Sequence, residues 1–204
     1  MRILSFLSLF VILMGSLYAA TLTTYIHDST GFFLATGATQ ATNAYAGPDN
    51  VSSYSAPGAF GNIVFTTLTG GLYFGSEWTG TLPGNEIAIS GLESMKLDLP
   101  LYAYALGFYF YDNVGDQSTF TLTLFNNITN IGYFTFNTPD NVASFVGVSS
   151  DVAFNKVQIV ETTGDSTNDY YGLFYLSTTA IPEPSTIALF MISIATMLFL
   201  KKNQ

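Results

Sequence analysis

Two short stretches of this chain group oxygen-bearing side chains closely. Asp112, Asn113 and Asp116 share one turn-forming run, and Asp165, Asn168 and Asp169 share another. Carboxylate and amide oxygens grouped this way suit Ca²⁺, a hard cation that takes about six to eight oxygen ligands and is plentiful outside cells. Neither run has the EF-hand spacing with its glycine and terminal glutamate, and Asx turns between strands are the ordinary reading of both. Calcium on Asp112, Asn113, Asp116, Asp165 and Asp169 is the one cofactor these residues suggest; otherwise none is expected.

Other chemistries find less support. A paired-carboxylate glycosidase needs two acids about 5–10 Å apart. Glu77, Glu86 and Glu93 are the candidates, each reading more simply as a solvated strand-end or turn residue. His27 is the only histidine. It would have to serve any Ser-His-Asp arrangement from near the mature N-terminus, and no Gly-x-Ser-x-Gly elbow accompanies it. Cysteine is absent, which removes disulfides, thiolate nucleophiles and thiolate metal sites. No catalytic residue is assigned. Trp78 and the adjacent Tyr170-Tyr171 could stack on a sugar ring, although core tryptophan and sheet tyrosines are the commoner case.

The elements that must position these groups read as strands. Phe120, Leu122 and Leu124 alternate with Thr119, Thr121 and Thr123, giving one buried and one hydroxyl-bearing face. Tyr102, Tyr104, Leu106, Phe108 and Phe110 share a face in another run. Further strands are expected near 22–26, 63–68, 72–74, 86–90, 95–99, 133–136, 145–148, 156–161 and 172–176. Turn clusters such as Gly47-Pro48-Asp49-Asn50 and Thr138-Pro139-Asp140-Asn141 separate them. Outside the two hydrophobic ends no helix is expected. Many short strands at this spacing predict an all-β fold, an antiparallel two-sheet sandwich of jelly-roll type, with barrel closure as the alternative.

Both ends of the chain read as targeting segments. Met1-Arg2, an apolar run from Ile3 to Met14 and the small residues Ala19-Ala20 compose a secretory signal peptide, cleaved after Ala19 or, next best, after Ala20. The other end reads Pro182-Glu183-Pro184, then an apolar run from Ile187 to Leu200, then Lys201-Lys202. The prolines fix φ on either side of one carboxylate, so the motif is stiff and extended. Counted from Ser185, the run spans roughly 24 Å as a helix, short of the ~30 Å hydrocarbon core. It suits a transient hold better than a permanent anchor, with Lys201 and Lys202 as the basic stop. The resulting division is a signal peptide over 1–19, a β-sandwich over 20–180, and a sorting signal over 181–204 made of motif 182–184, transmembrane helix 185–200 and basic tail 201–204.

All fourteen acids lie between Asp28 and Glu183, against only Lys96 and Lys156, so the exported part carries a net charge of about −12. That excludes nucleic acid and disfavours anionic polysaccharide, both of which need clustered cations.

Signal peptide, β domain, Pro-Glu-Pro motif, apolar helix and basic end together resemble the PEP-CTERM proteins of Gram-negative bacteria. The resemblance implies passage through the Sec translocon, signal peptidase cleavage, and recognition of Pro182, Glu183 and Pro184 by an exosortase, a membrane-embedded cysteine transpeptidase-like enzyme. It implies transient anchoring in the inner membrane, removal of the tail, and delivery to the cell surface or exopolysaccharide matrix, with extracellular polysaccharide as a partner. On this reading the sandwich is a non-catalytic structural or adhesive module. The alternative is a carbohydrate-binding module or glycan-active enzyme delivered by the same route. Three inner segments, 105–110, 145–150 and 154–160, also resemble one recurring ectodomain type of these proteins. There the last strand often carries an Asp-Asn or Asp-Asp pair, whereas the stretch here, Tyr170 to Tyr175, has no acid.

Overall fold

The computed structural model describes residues 20–42, 46–90, 93–113, 115, 117–163 and 169–180. The signal peptide over 1–19, the Pro-Glu-Pro motif, the helix over 185–200 and the tail with Lys201 and Lys202 lie outside them. Among the described residues no helix is long and apolar enough to cross a membrane.

The described residues form eleven strands and one short helix, in order: β1 (Leu22–Ile26), α1 (Ser29–Thr36), β2 (Thr39–Thr42), β3 (Ser53–Ala56), β4 (Ile63–Thr67), β5 (Leu72–Ser76), β6 (Asn85–Ile89), β7 (Met95–Tyr111), β8 (Thr119–Asn126), β9 (Thr129–Phe136), β10 (Ala143–Thr163) and β11 (Tyr170–Ser177). Every pairing between these strands is antiparallel. The sandwich expected from the alternation is present, but its two layers are not separate sheets. All eleven strands form one hydrogen-bonded network.

The joint is the pair β7 and β10, each long enough to serve both layers. In the first layer Ala105–Tyr111 of β7 pairs with Ala143–Ser149 of β10, flanked by β11 and β1. In the second, Met95–Asp98 pairs with Lys156–Ile159, flanked by β4 and β8. Between these stretches the register shifts from Ser149 to Phe154 and again to Lys156. Such irregularities bend a strand sharply. Pro100 falls in the gap where β7 has no ladder partner, so its missing N–H costs no bond. The two pairs of expected strands, 95–99 with 102–111 and 145–148 with 156–161, are therefore two continuous strands, each folded over one end of the sandwich.

The layers enclose an aromatic core. Phe65 of β4 meets Phe174 of β11 at 5.2 Å, and Phe110 of β7 meets Phe120 of β8 at 5.0 Å, each pair joining one layer to the other edge to face. Phe120, Leu122 and Leu124 point inward as their alternation requires.

The helix is a correction to the sequence reading. Asp28 caps it by accepting from Gly31 N at 2.8 Å, and Gly37 closes it with φ 59°. Only eight residues long, it is too short to show a helical period, so its signals were its two caps. It covers the outer face of the first layer, where Phe32 sits fully buried against Phe145 at 5.1 Å and Tyr25 at 5.5 Å. Gly107 and Gly147 face each other across β7 and β10 directly beneath it. A Cβ on either would stand 2.8 Å from the Phe32 ring. Two adjacent glycines thus form the seat for one phenylalanine, and this cover is why Ala105, on the supposedly open face, is buried.

Phe32→Ala should cost about 3–5 kcal/mol through the cavity it leaves, and Gly147→Ala about 1–3 kcal/mol through overpacking. Urea unfolding of the full chain measures both. A Gly147→Ala variant as stable as the wild type would show that the ring does not rest on the glycine pair.

Candidate functional site

Two groups of side chains lie at the end of the sandwich opposite the bends. One is an aromatic row on the outer face of the first layer. Tyr73, Ala88, Tyr170 and Tyr111 are consecutive cross-strand partners on β5, β6, β11 and β7. Alternation along β11 sends Tyr171 into the core and leaves Tyr170 outside. Tyr171 is fully buried, packed on Phe110 at 5.0 Å, so only Tyr170 of the Tyr170-Tyr171 pair is free to meet a sugar. Trp78 joins the row from the β5–β6 connection, its ring 5.8 Å from that of Tyr170.

The loop that carries Trp78 is built for display. Its indole lies over Gly75, where a Cβ would come within 2.2 Å of the ring. Glu86, fully buried, accepts from Thr79 N at 3.2 Å and from Thr79 Oγ1 at 3.0 Å, and Thr79 Oγ1 in turn accepts from Leu82 N at 3.0 Å. Burial raises the Glu86 carboxyl above its usual range, offset in part by the Thr79 bonds. Glu86 is thus a loop brace, not the solvated residue expected from the sequence. Trp78 remains 45% exposed and, with Tyr73, Ala88 and Tyr170, lines a depression of about 270 Å³.

The second group is a set of buried acids between the layers. Glu93 and Asp169 are sealed from solvent, as are Asp112 and, almost, Glu161. Asp169 N donates to Glu93 Oε2 at 2.9 Å, Glu93 N to Glu161 Oε2 at 2.9 Å, Asn113 N to Asp169 Oδ1 at 3.1 Å, and Ser118 N to Asp112 Oδ2 at 3.1 Å. Tyr171 Oη donates to the Glu93 carbonyl at 3.3 Å. Burial first, then the neighbouring charges of Asp169, Glu161 and Asp112, push Glu93 up to about 10. Burial and the Asp112 charge push Asp169 up to about 8, against the Asn113 bond.

The fold therefore brings together three of the expected calcium residues, Asp112, Asn113 and Asp169; Asp116 and Asp165 lie outside the described residues. It adds two that the sequence reading placed elsewhere. Glu93, taken as a solvated turn residue, is buried. Glu161 was taken simply as a strand residue, although it continues the inward alternation of Val157 and Ile159, the signal that could have exposed it. Asp169 lies directly before β11. His27 follows β1 with φ 59°, next to the helix-capping Asp28, and Glu77 is exposed.

No family model and no curated protein matches the chain. Among solved structures, the catalytic domain of a GH87 α-1,3-glucanase D1069A in complex with tetrasaccharides is similar over 71% of this chain at 14% identity, with a TM-score of 0.39. The chain spans 30% of that protein's length, and at this level neither a shared fold nor a shared activity follows.

The raised acids set the pH response. Their folded-state values exceed the ordinary 4.5 and 3.8, so the folded chain holds protons that the unfolded chain releases. The stability they contribute is complete below those ordinary values and is lost as pH rises through about 8 and about 10. In chelator-containing buffer, Tm should fall by roughly 5 °C or more between about pH 5 and pH 9. Glu93→Gln with Asp169→Asn should flatten that slope, and a wild-type Tm independent of pH would contradict the burial of these carboxyls.

Proposed function

We propose that this chain is an exported, non-catalytic protein of the cell surface or exopolysaccharide matrix, and that its sandwich is an adhesive module for neutral glycan. The observation that carries the adhesive part is Trp78. A half-exposed indole is unusual on a soluble surface. Here it is held in place by Gly75 below and the Glu86-braced loop behind, beside Tyr73 and Tyr170. Aromatic faces next to polar groups suit the apolar face of a sugar ring. The net charge of about −12 favours uncharged sugars over anionic ones.

A non-catalytic role is supported by where the acids lie. Those that the fold brings together are sealed from solvent, whereas a glycosidase pair must flank its substrate. Glu86 is engaged as a brace. The second reading, a dedicated carbohydrate-binding module, draws on the same aromatic row and differs only in how tightly and selectively the glycan is held.

Export and sorting rest on the sequence at both ends. In this proposal the Sec translocon and signal peptidase remove 1–19, an exosortase processes the tail at Pro182-Glu183-Pro184, and the helix over 185–200 with Lys201 and Lys202 holds the chain only until then.

Two measurements address the two parts. On an array of neutral glycans the full chain should bind, and Trp78→Ala should weaken binding about 10-fold or more, at a stability cost of about 1–3 kcal/mol from the packed half of the indole. A blank array would leave the sandwich a purely structural role. Mass spectrometry of surface-exposed protein from the native host should recover no peptide beyond the Pro182-Glu183-Pro184 region. Intact Lys201-Lys202 on most molecules would overturn the sorting reading.

A further inference from the structure

We propose that Glu93 and Asp169, with Asp112 and Glu161 beside them, form a divalent-cation site of the calcium type that clips the two layers together. The position of the acids motivates this. The bent strands β7 and β10 join the layers at one end only. At the other end Asp112, following β7, and Asp169, preceding β11, belong to the first layer. Glu161 of β10 and Glu93, just before β7, belong to the second. Four carboxyl groups thus meet across the seam, where none of the described strands crosses.

Among the described residues, neither lysine is paired with Glu93, Asp169 or Glu161. Lys156 pairs with Asp98 at 3.2 Å. Lys96 is exposed at the register of Gln158, on the strand face opposite to the one that carries Val157, Ile159 and Glu161 inward. Such a group of acids alone would only argue for shared protons. The independent observation is that Glu93 Oε1 and Asp169 Oδ2 are buried without any hydrogen-bond partner, in side chains 0% and 1% exposed. The other oxygen of each is already held, Glu93 Oε2 by Asp169 N and Asp169 Oδ1 by Asn113 N. Each carboxylate is therefore oriented by one oxygen and offers the second. A buried acceptor left unpaired is costly, and a cation between the two would satisfy both.

Among the described residues, no three acid or histidine side chains are already drawn around one metal-sized point. Glu93 and Asp169 would be the direct carboxylate ligands, with backbone carbonyls and water completing the shell, as calcium sites allow. Asp112 and Glu161 supply adjacent negative charge. Extracellular calcium modules of this sort bind with Kd of about 10⁻⁴–10⁻³ M, and binding to the folded state alone raises Tm by mass action.

The experiment uses the full chain purified in mild detergent and freed of metal with chelator, at about pH 8, where binding a cation would displace the protons that the buried carboxyls hold. Calcium chloride at about 100 times Kd should raise Tm by roughly 5–10 °C, while sodium chloride at equal ionic strength should not. Tb³⁺ in place of calcium should luminesce on excitation of the adjacent Tyr171, and calcium should quench that signal. The Glu93→Gln, Asp169→Asn variant, which loses two repelling charges, should fold and lose both responses. A flat calcium titration with no terbium signal would overturn the proposal and leave the acids as a proton-sharing network. An undiminished response in the variant would place any cation elsewhere. Should the variant not fold, calcium displacement of the Tyr171-sensitised signal in the wild type decides the matter.

Discussion

The bent antiparallel pair β7 and β10 is the constraint on which the rest of this molecule depends. Most sandwiches hold two sheets together by packing alone, at an angle that each sheet's twist dictates. Here the layers share two strands, so their spacing and angle follow from the bend itself. That bend needs local departures from the ladder: the shift between Ser149 and Phe154, the Ser150 hydroxyl bonded to Val152, and Pro100 in the unpaired gap. Every other strand in the sheet is placed by its distance from this pair. The interlayer contacts Phe65–Phe174 and Phe110–Phe120 are consequences of it.

A fold hinged at one end must deal with its other end differently. Apolar packing continues almost to the seam, where Phe110, Phe120 and Tyr171 approach it, and then gives way to carboxylates. Their backbone donors, from Asn113, Ser118, Glu93 and Asp169, come from both layers and lace the seam together. The arrangement is held by hydrogen bonds and opposed by like charge. The balance at the seam therefore depends on solution conditions in a way that the aromatic core does not.

Much of the strand content was legible because the period-two signal is strong wherever one face is buried. β1 and β8 are where the alternation puts them, and the gaps in hydrophobicity at Pro100 and near Asp151 mark real interruptions in pairing. What could not be read is whether an interruption ends a strand or bends it, since both look like a loss of alternation. The helix escaped because its eight residues include Gly31 and two threonines, and because its purpose, covering Gly107 and Gly147, is tertiary. The site was half legible. Asp112, Asn113 and Asp169 were grouped as two loops, yet their convergence depends on β7 and β11 being neighbours, which no local pattern encodes. Glu93 was read as a solvated residue and Glu161 only as part of a strand, because charge was equated with exposure. Trp78 was noticed, but its display depends on Gly75 and Glu86, residues three and eight positions away.

The register also gives the domain a polarity. Thr23, Ser149, Ala105 and Ser177 lie in one row across β1, β10, β7 and β11, so the first strand begins and the last strand ends on the same rim, about three strand spacings or roughly 14 Å apart. Tyr111 and Tyr170 close the opposite rim, six residues or roughly 20 Å along β7. Chain entry and exit therefore share one pole, while the indole of Trp78 and the acid seam share the other. Under the proposed sorting, a tether beyond Ser177 would hold the module by its bent end and leave its chemically distinctive end facing away, a geometry in which attachment and recognition would not compete for the same surface.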